Sequence, residues 1–215
     1  ADPQKRTRAI VIYPMNALAN SQLEELDKFL HGYPADEAPF TVARYTGQES
    51  DTDRKKIADD PPDILLTNFM MLELILTRFE DVDRRVVEHC QGLEFLVLDE
   101  LHTYRGRQGA DVALLVRRLR ERLQAHQLVC IGTSATMSST GTQADRNQTV
   151  ASVASLLFGA QITEHDVSGE TLERVTNPAK DIEAVKSLLK PALLKESYHW
   201  PDFAAFSDDP LAVWV

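Results

Sequence analysis

The sequence predicts an α/β fold, a mostly parallel sheet with helices on both faces, and three observations predict it. From Arg8 to about Leu157, short apolar runs alternate with stretches of helical periodicity, the pattern of βα units feeding a parallel sheet. The runs are continuous in Val, Ile, Leu or Phe rather than alternating apolar and polar, as a strand covered on both faces requires. A length of 215 residues with 43% hydrophobic and 26% charged residues is enough for one substantial core.

The elements follow in order. Ala9–Tyr13 reads as a strand closed by Pro14, and behind it Ala19, Leu23, Leu26 and Leu30 fall on one face of a helix. Thr41–Tyr45 is the second strand and ends in the turn Thr46-Gly47. Pro61 and Pro62 punctuate the approach to a third strand, Asp63–Thr67, which Asn68 follows. Phe95–Asp99 is the fourth. Val112, Leu115, Val116, Leu119 and Leu123 then share one side of a helix expected over Ala110–Ala125, and Leu128–Gly132 is the fifth strand. Beyond Gly159 the periodicity degrades: Gln161–Val167 suggests one more strand, and Asp181–Leu189 a helix ended before Pro191. The expected organisation is a domain over residues 1–158 and an extension or linker over 159–215.

Composition removes several classes of function. No apolar run approaches the roughly 20 residues of a membrane span, and no secretory signal opens the chain, so a cytoplasmic protein without membrane contact is expected. Cys90 and Cys130 have neither disulfide-framework nor zinc spacing. A net charge of −10 argues against coating nucleic acid by electrostatics alone. Any such contact has to come from backbone amides and helix N-termini, which hold phosphate without raising net charge.

The chemistry concentrates at strand ends, where open α/β sheets bind ligands. Phe95-Leu-Val-Leu-Asp-Glu-Leu-His102 is an apolar strand ending in two adjacent carboxylates with a histidine two residues on, the form of a Walker B element. Asp99 suits a Mg²⁺ held through water, and Glu100 suits the base that orients the attacking water. Downstream lies Gly132-Thr-Ser-Ala-Thr-Met137.

Together, Asp99-Glu-Leu-His102 and Ser134-Ala135-Thr136 resemble the DExH box and SAT motif of superfamily 2 helicases, and they imply a RecA-like P-loop NTPase fold using ATP and Mg²⁺. The resemblance implies that His102 hydrogen-bonds the hydroxyls of Ser134 and Thr136, linking nucleotide site to nucleic-acid track. Tyr13-Pro14-Met15-Asn16-Ala17 resembles the family's motif Ia, with Asn16 expected to cap the following helix. Tyr45-Thr46-Gly47 resembles its Thr-Gly element, and the strand ending in Thr67-Asn68 its next strand-to-helix motif. Pro14, Asn16, Ala17, Thr46, Gly47, Thr67 and Asn68 are therefore the expected nucleic-acid contacts. His102–Gly109 resembles a bacterial Lhr-like subgroup of DNA helicases, which favours DNA over RNA. Arg105 and Arg107 there meet either the nucleic acid or a second lobe, or are simply solvated.

No GxxxxGKS/T loop occurs in these residues. Without that cradle the β and γ phosphates have nothing to hold them, so the chain alone is expected to hydrolyse no ATP. On this reading it is an incomplete first RecA-like domain, short of its N-terminal side and of a second lobe, and its exposed sheet edge or apolar patch favours self-association or a covering partner. The alternatives are a translocase of a restriction or phage-defence complex, and a catalytically silent nucleic-acid-binding scaffold.

Overall fold

The computed structural model describes residues 6–34, 37–135, 142–169, 176–177, 182–194 and 199–214, and the chain divides into two compact units, Ala1–Val167 and Ser168–Val215. The first unit holds β1 (Ala9–Tyr13), α1 (Asn16–Leu30), β2 (Val42–Tyr45), α2 (Asp51–Asp59), β3 (Ile64–Asn68), α3 (Phe69–Thr77) and α4 (Asp81–His89). Then come β4 (Phe95–Leu98), α5 (Gly106–Arg122), β5 (Val129–Gly132) and α6 (Gln143–Phe158). The strands form one parallel sheet in the order β2-β3-β1-β4-β5. The five strands predicted between Ala9 and Gly132 are each present to within one residue at either end.

Alternate residues of the central strands feed opposite faces. Ile10, Ile12, Leu65, Leu96 and Leu98 enter the main core with Leu72, Ile75, Val86, Val112, Leu115 and Leu119 from α3, α4 and α5. Tyr13 and Leu66 face the other way and are covered by Ala19 of α1, with Leu18, Leu23 and Leu26 only half-buried around them. That second layer is thin. Register places Val97 opposite Val11, Ile131 opposite Val97 and Val129 opposite Phe95, all on the α1 side. There Phe95 is 40%, Val129 49% and Ile131 44% exposed, a row of apolar side chains open to solvent.

Some expectations are corrected. Gln161–Val167 is not a strand: Thr163 and Asp166 form a reciprocal capping box that winds Glu164–Asp166 into a 3-10 turn. The fifth helix begins at Gly106, not Ala110, because Gly109 lets its first turn lie against the Tyr104 carbonyl. In the second unit, α7 (Ile182–Leu193) continues through Pro191 instead of ending before it. A proline this close to a helix end sacrifices a single backbone bond while little helix remains to be disturbed. α7 packs on α9 (Pro210–Trp214), with the Lys186 ammonium 5.7 Å from the Trp214 ring centre, while Asp202 caps α8 (Phe203–Ser207).

Candidate functional site

The fourth and fifth strands end side by side, and their exits are tied together. Past Leu98 the chain turns sharply, with Glu100 in the left-handed region at φ 55°, ψ 55°, a conformation that strains any residue with a Cβ. Leu101 N–H donates to the Thr133 carbonyl at 2.8 Å, and Thr133 N–H to the Leu98 carbonyl at 3.1 Å. The Thr133 hydroxyl donates to Asp99 Oδ1 and accepts from the Glu100 amide at 3.3 Å. Thr133 is thus a site residue that the sequence reading passed over. Its signal was the position next to Gly132, which pairs with Leu98 across the ladder.

His102 sits on the 3-10 turn Leu101–Thr103, where its Nδ1 lies 3.3 Å from Ser134 Oγ and 3.0 Å from Glu100 Oε2. Glu100 Oε2 is buried and makes this ion-pair contact but no hydrogen bond among the described residues. The structure therefore brings Asp99, Glu100, His102 and Ser134 together at the adjoining exits of β4 and β5, with Ala135 exposed beside them. Thr136 lies outside the described residues. Tyr13 and Tyr104 flank Asp99. Burial first, and then the Asp99 charge, pushes the Tyr13 phenol up to about 12 and the Tyr104 phenol higher still, so both stay neutral.

A second cluster forms at the exits of β1, β2 and β3. The Asn68 side chain accepts from the Met71 amide at 2.7 Å, capping α3, and its Nδ2 donates to Asn16 Oδ1 at 2.6 Å and to the Thr46 carbonyl at 3.1 Å. Thr67 is fully buried and donates its hydroxyl to the Tyr45 carbonyl at 2.6 Å, so it braces the strand ends. Asn16 does not cap α1, as its sequence position suggested. Met15 is the cap residue, without a side-chain bond, and Asn16 is the first helical residue, its side chain turned to Asn68. The amides of Asn16 and Ala17 consequently have no acceptor among the described residues. Between these loops lies a groove of about 540 Å³ lined by Pro14, Asn16, Asn68, Tyr104 and Gln108, with Met15 and Met70 exposed on its rim.

Thr46 and Gly47 share this end of the sheet, yet their donors are engaged. Glu49 accepts from the Thr46 amide at 2.7 Å, the Gly47 amide at 2.9 Å, the Thr46 hydroxyl at 3.0 Å and Arg44 Nε at 2.7 Å. Arg105 and Arg107 are exposed at the start of α5, without an ion-pair partner among the described residues. Two cations at the positive end of a helix dipole are unfavourable for the helix and favourable for an approaching anion.

The family model described as DEAD/DEAH box helicase matches residues 2–144, the whole stretch that carries both clusters. The chain belongs to the DEAD/DEAH box helicase family. This helicase-family chain is 34% identical over 134 residues to the uncharacterized ATP-dependent helicase YprA of Bacillus subtilis, covering 61% of the chain and 17% of that protein. It is 40% identical over 96 residues to the Druantia protein DruE of Escherichia coli, covering 40% of the chain and 5% of DruE. The structure of Mycobacterium smegmatis helicase Lhr bound to ssDNA and AMP-PNP is similar at a TM-score of 0.53 and 30% identity, covering 65% of this chain and 18% of Lhr. The RecA-like fold and the Lhr-like affinity expected from the DExH segment are thus shown. The chain spans under a fifth of the length of each of these proteins. Among the described residues no helix is long and apolar enough to cross a membrane.

Proposed function

We propose that this chain is part of the first motor domain of a cytoplasmic ATP-dependent DNA helicase or translocase, with ATP hydrolysis at the Asp99–Glu100 step coupled to strand movement. The observation that carries the reading is the His102 ring between Glu100 Oε2 and Ser134 Oγ, which joins the carboxylate pair to the fifth strand's exit. The donor set fits the nucleotide's needs. Asp99 offers one carboxylate, which is what Mg²⁺ takes from a protein when it keeps most of its waters. When bound, that ion would screen charge on the transferring phosphate.

Glu100 is the carboxylate that accepts a proton from the attacking water: its side chain is about a third exposed, with Oε2 turned against the His102 ring at 3.0 Å. Thr133 keeps the two acids in register, and His102 with Ser134 passes a change at the acids to β5. Asn16, Ala17 and Asn68, with Pro14 and the braces at Thr67 and Thr46-Gly47, form the face offered to a strand. Arg105 stands just before α5 and Arg107 in its first turn, and they serve the strand or a second lobe. Single-stranded DNA is the favoured partner, because the similar Lhr structure is described as bound to ssDNA.

The sequence holds no GxxxxGKS/T loop, so we infer that these 215 residues alone hydrolyse no ATP and need a phosphate cradle and a second lobe from elsewhere. In the longer helicase, Glu100→Gln should lower ATP turnover by about 10²- to 10⁴-fold while nucleotide affinity holds, measured by steady-state hydrolysis and by titration with a fluorescent nucleotide. Equal loss of binding would mean that Glu100 is structural. Robust hydrolysis by the 215-residue chain would refute the need for a cradle.

A further inference from the structure

The Thr46-Gly47 turn has the make-up of an anion site: successive backbone amides, a hydroxyl and a guanidinium converge on one point, with Gly47 at φ +88° opening the concavity. Such nests of consecutive N–H groups hold phosphates and carboxylates alike. In this chain the point is occupied from within. The Glu49 side chain is only 6% exposed and takes all four donors, while Arg44 is held on its far side by Asn20 of α1. Burial pushes the Glu49 carboxyl up, but Arg44 and the Thr46 donors outweigh it and hold the group below its ordinary value, so it is charged at neutral pH. The nest adjoins the rest of the candidate track, because Asn68 bonds both Asn16 and the Thr46 carbonyl.

We propose that Glu49 is an internal stand-in for a strand phosphate, so that single-stranded nucleic acid engages the Thr46-Gly47 nest only by displacing this carboxylate. The proposal rests on the nucleic-acid track named above. Its consequence is that Glu49 sets how tightly the track holds a strand. With Glu49 seated, Arg44 is neutralised and the amides are filled, so a backbone phosphate gains there only the difference between two anions. With Glu49 removed, the same donors and an unpaired Arg44 wait for a phosphate.

The test is binding of a fluorescein-labelled oligo(dT) to the 215-residue chain across a series of salt concentrations, in the parent, Glu49→Gln and Asn68→Ala, each first shown folded by circular dichroism. Glutamine keeps an acceptor for the amides but not the charge, and a charge-assisted bond exceeds a neutral one by about 1 kcal/mol, so affinity should rise about fivefold. The salt slope should steepen by about 0.7, the share of one newly neutralised phosphate on a single strand. Should the glutamine variant misfold, Glu49→Asp, one methylene short of the nest, is expected to shift both readouts the same way. Unchanged or weaker binding in the Glu49 variant, with Asn68→Ala still weakened, overturns the stand-in role and leaves the track intact. If Asn68→Ala binds like the parent, or no variant binds, the track itself is wrong and the stand-in role falls with it.

Discussion

Asp83 is wholly buried on α4, and its carboxylate is the meeting point of three elements. Tyr45 at the end of β2 donates its hydroxyl to Asp83 Oδ1, and Arg54 of α2 donates to the same oxygen at 2.9 Å and to the Tyr45 hydroxyl at 3.1 Å. Removing the acid leaves a guanidinium without its buried counter-charge and a phenol without its acceptor. Asp83→Ala should therefore cost about 3 kcal/mol of unfolding free energy, the low end for a broken buried pair, read from urea denaturation. A loss under about 1 kcal/mol, the scale of a surface ion pair, would show that the network is ornamental. At this scale the sequence was legible where a residue's chemistry announces itself: Asp99, Glu100 and His102 stand out as acids and an imidazole at a strand's tip. Thr133 and Glu49 were not legible. Their roles depend on ladder register and on a loop folding back on its own amides, and neither leaves a mark in residue type.

Among the elements, α5 is the one whose position the site depends on most, since it begins just after the His102 turn and lies along the main core. Gly109 sets its approach: a Cβ there would sit 2.7 Å from the Tyr104 carbonyl oxygen and 3.2 Å from its carbon, both rigid backbone. Gly109→Ala should push the helix start away from the DExH turn and destabilise the fold by roughly 1–3 kcal/mol, as overpacking does. A thermal melt tests this, and an unchanged midpoint would mean that the first turn moves freely. The sequence placed this helix but started it late, because Gly106-Arg107-Gln108-Gly109, with two glycines in four residues, looks like a loop. They are helical because close packing requires the second glycine. The nine-residue helices α2 and α4 were passed over in the sequence: each is only about two and a half turns long and buries two or three side chains. The five strands read well, because continuous apolar runs have few other uses in a chain of this composition.

Across the whole first unit, the two sheet faces are unequal. One carries helices α3, α4 and α5 over a dense core, while the other has α1 over its β2-side half and the open row Phe95, Val129 and Ile131 over β4 and β5. Such a row favours association, and β5, the edge strand of the sheet among the described residues, adds backbone groups without a ladder partner there. Sedimentation of this chain at rising concentration should show oligomers that Ile131→Lys shifts towards monomer, without loss of melting temperature because Ile131 is already 44% exposed. Oligomers that persist unchanged in the lysine variant would place the contact elsewhere.

The three-way bridge at Asn68 has a mechanical consequence. Because one amide side chain fastens the loops after β1, β2 and β3, those loops cannot shift independently. On the proposed function, a polymer drawn across them would meet a single stiff rail rather than three separate fingers, and a pull at one loop would be delivered to all.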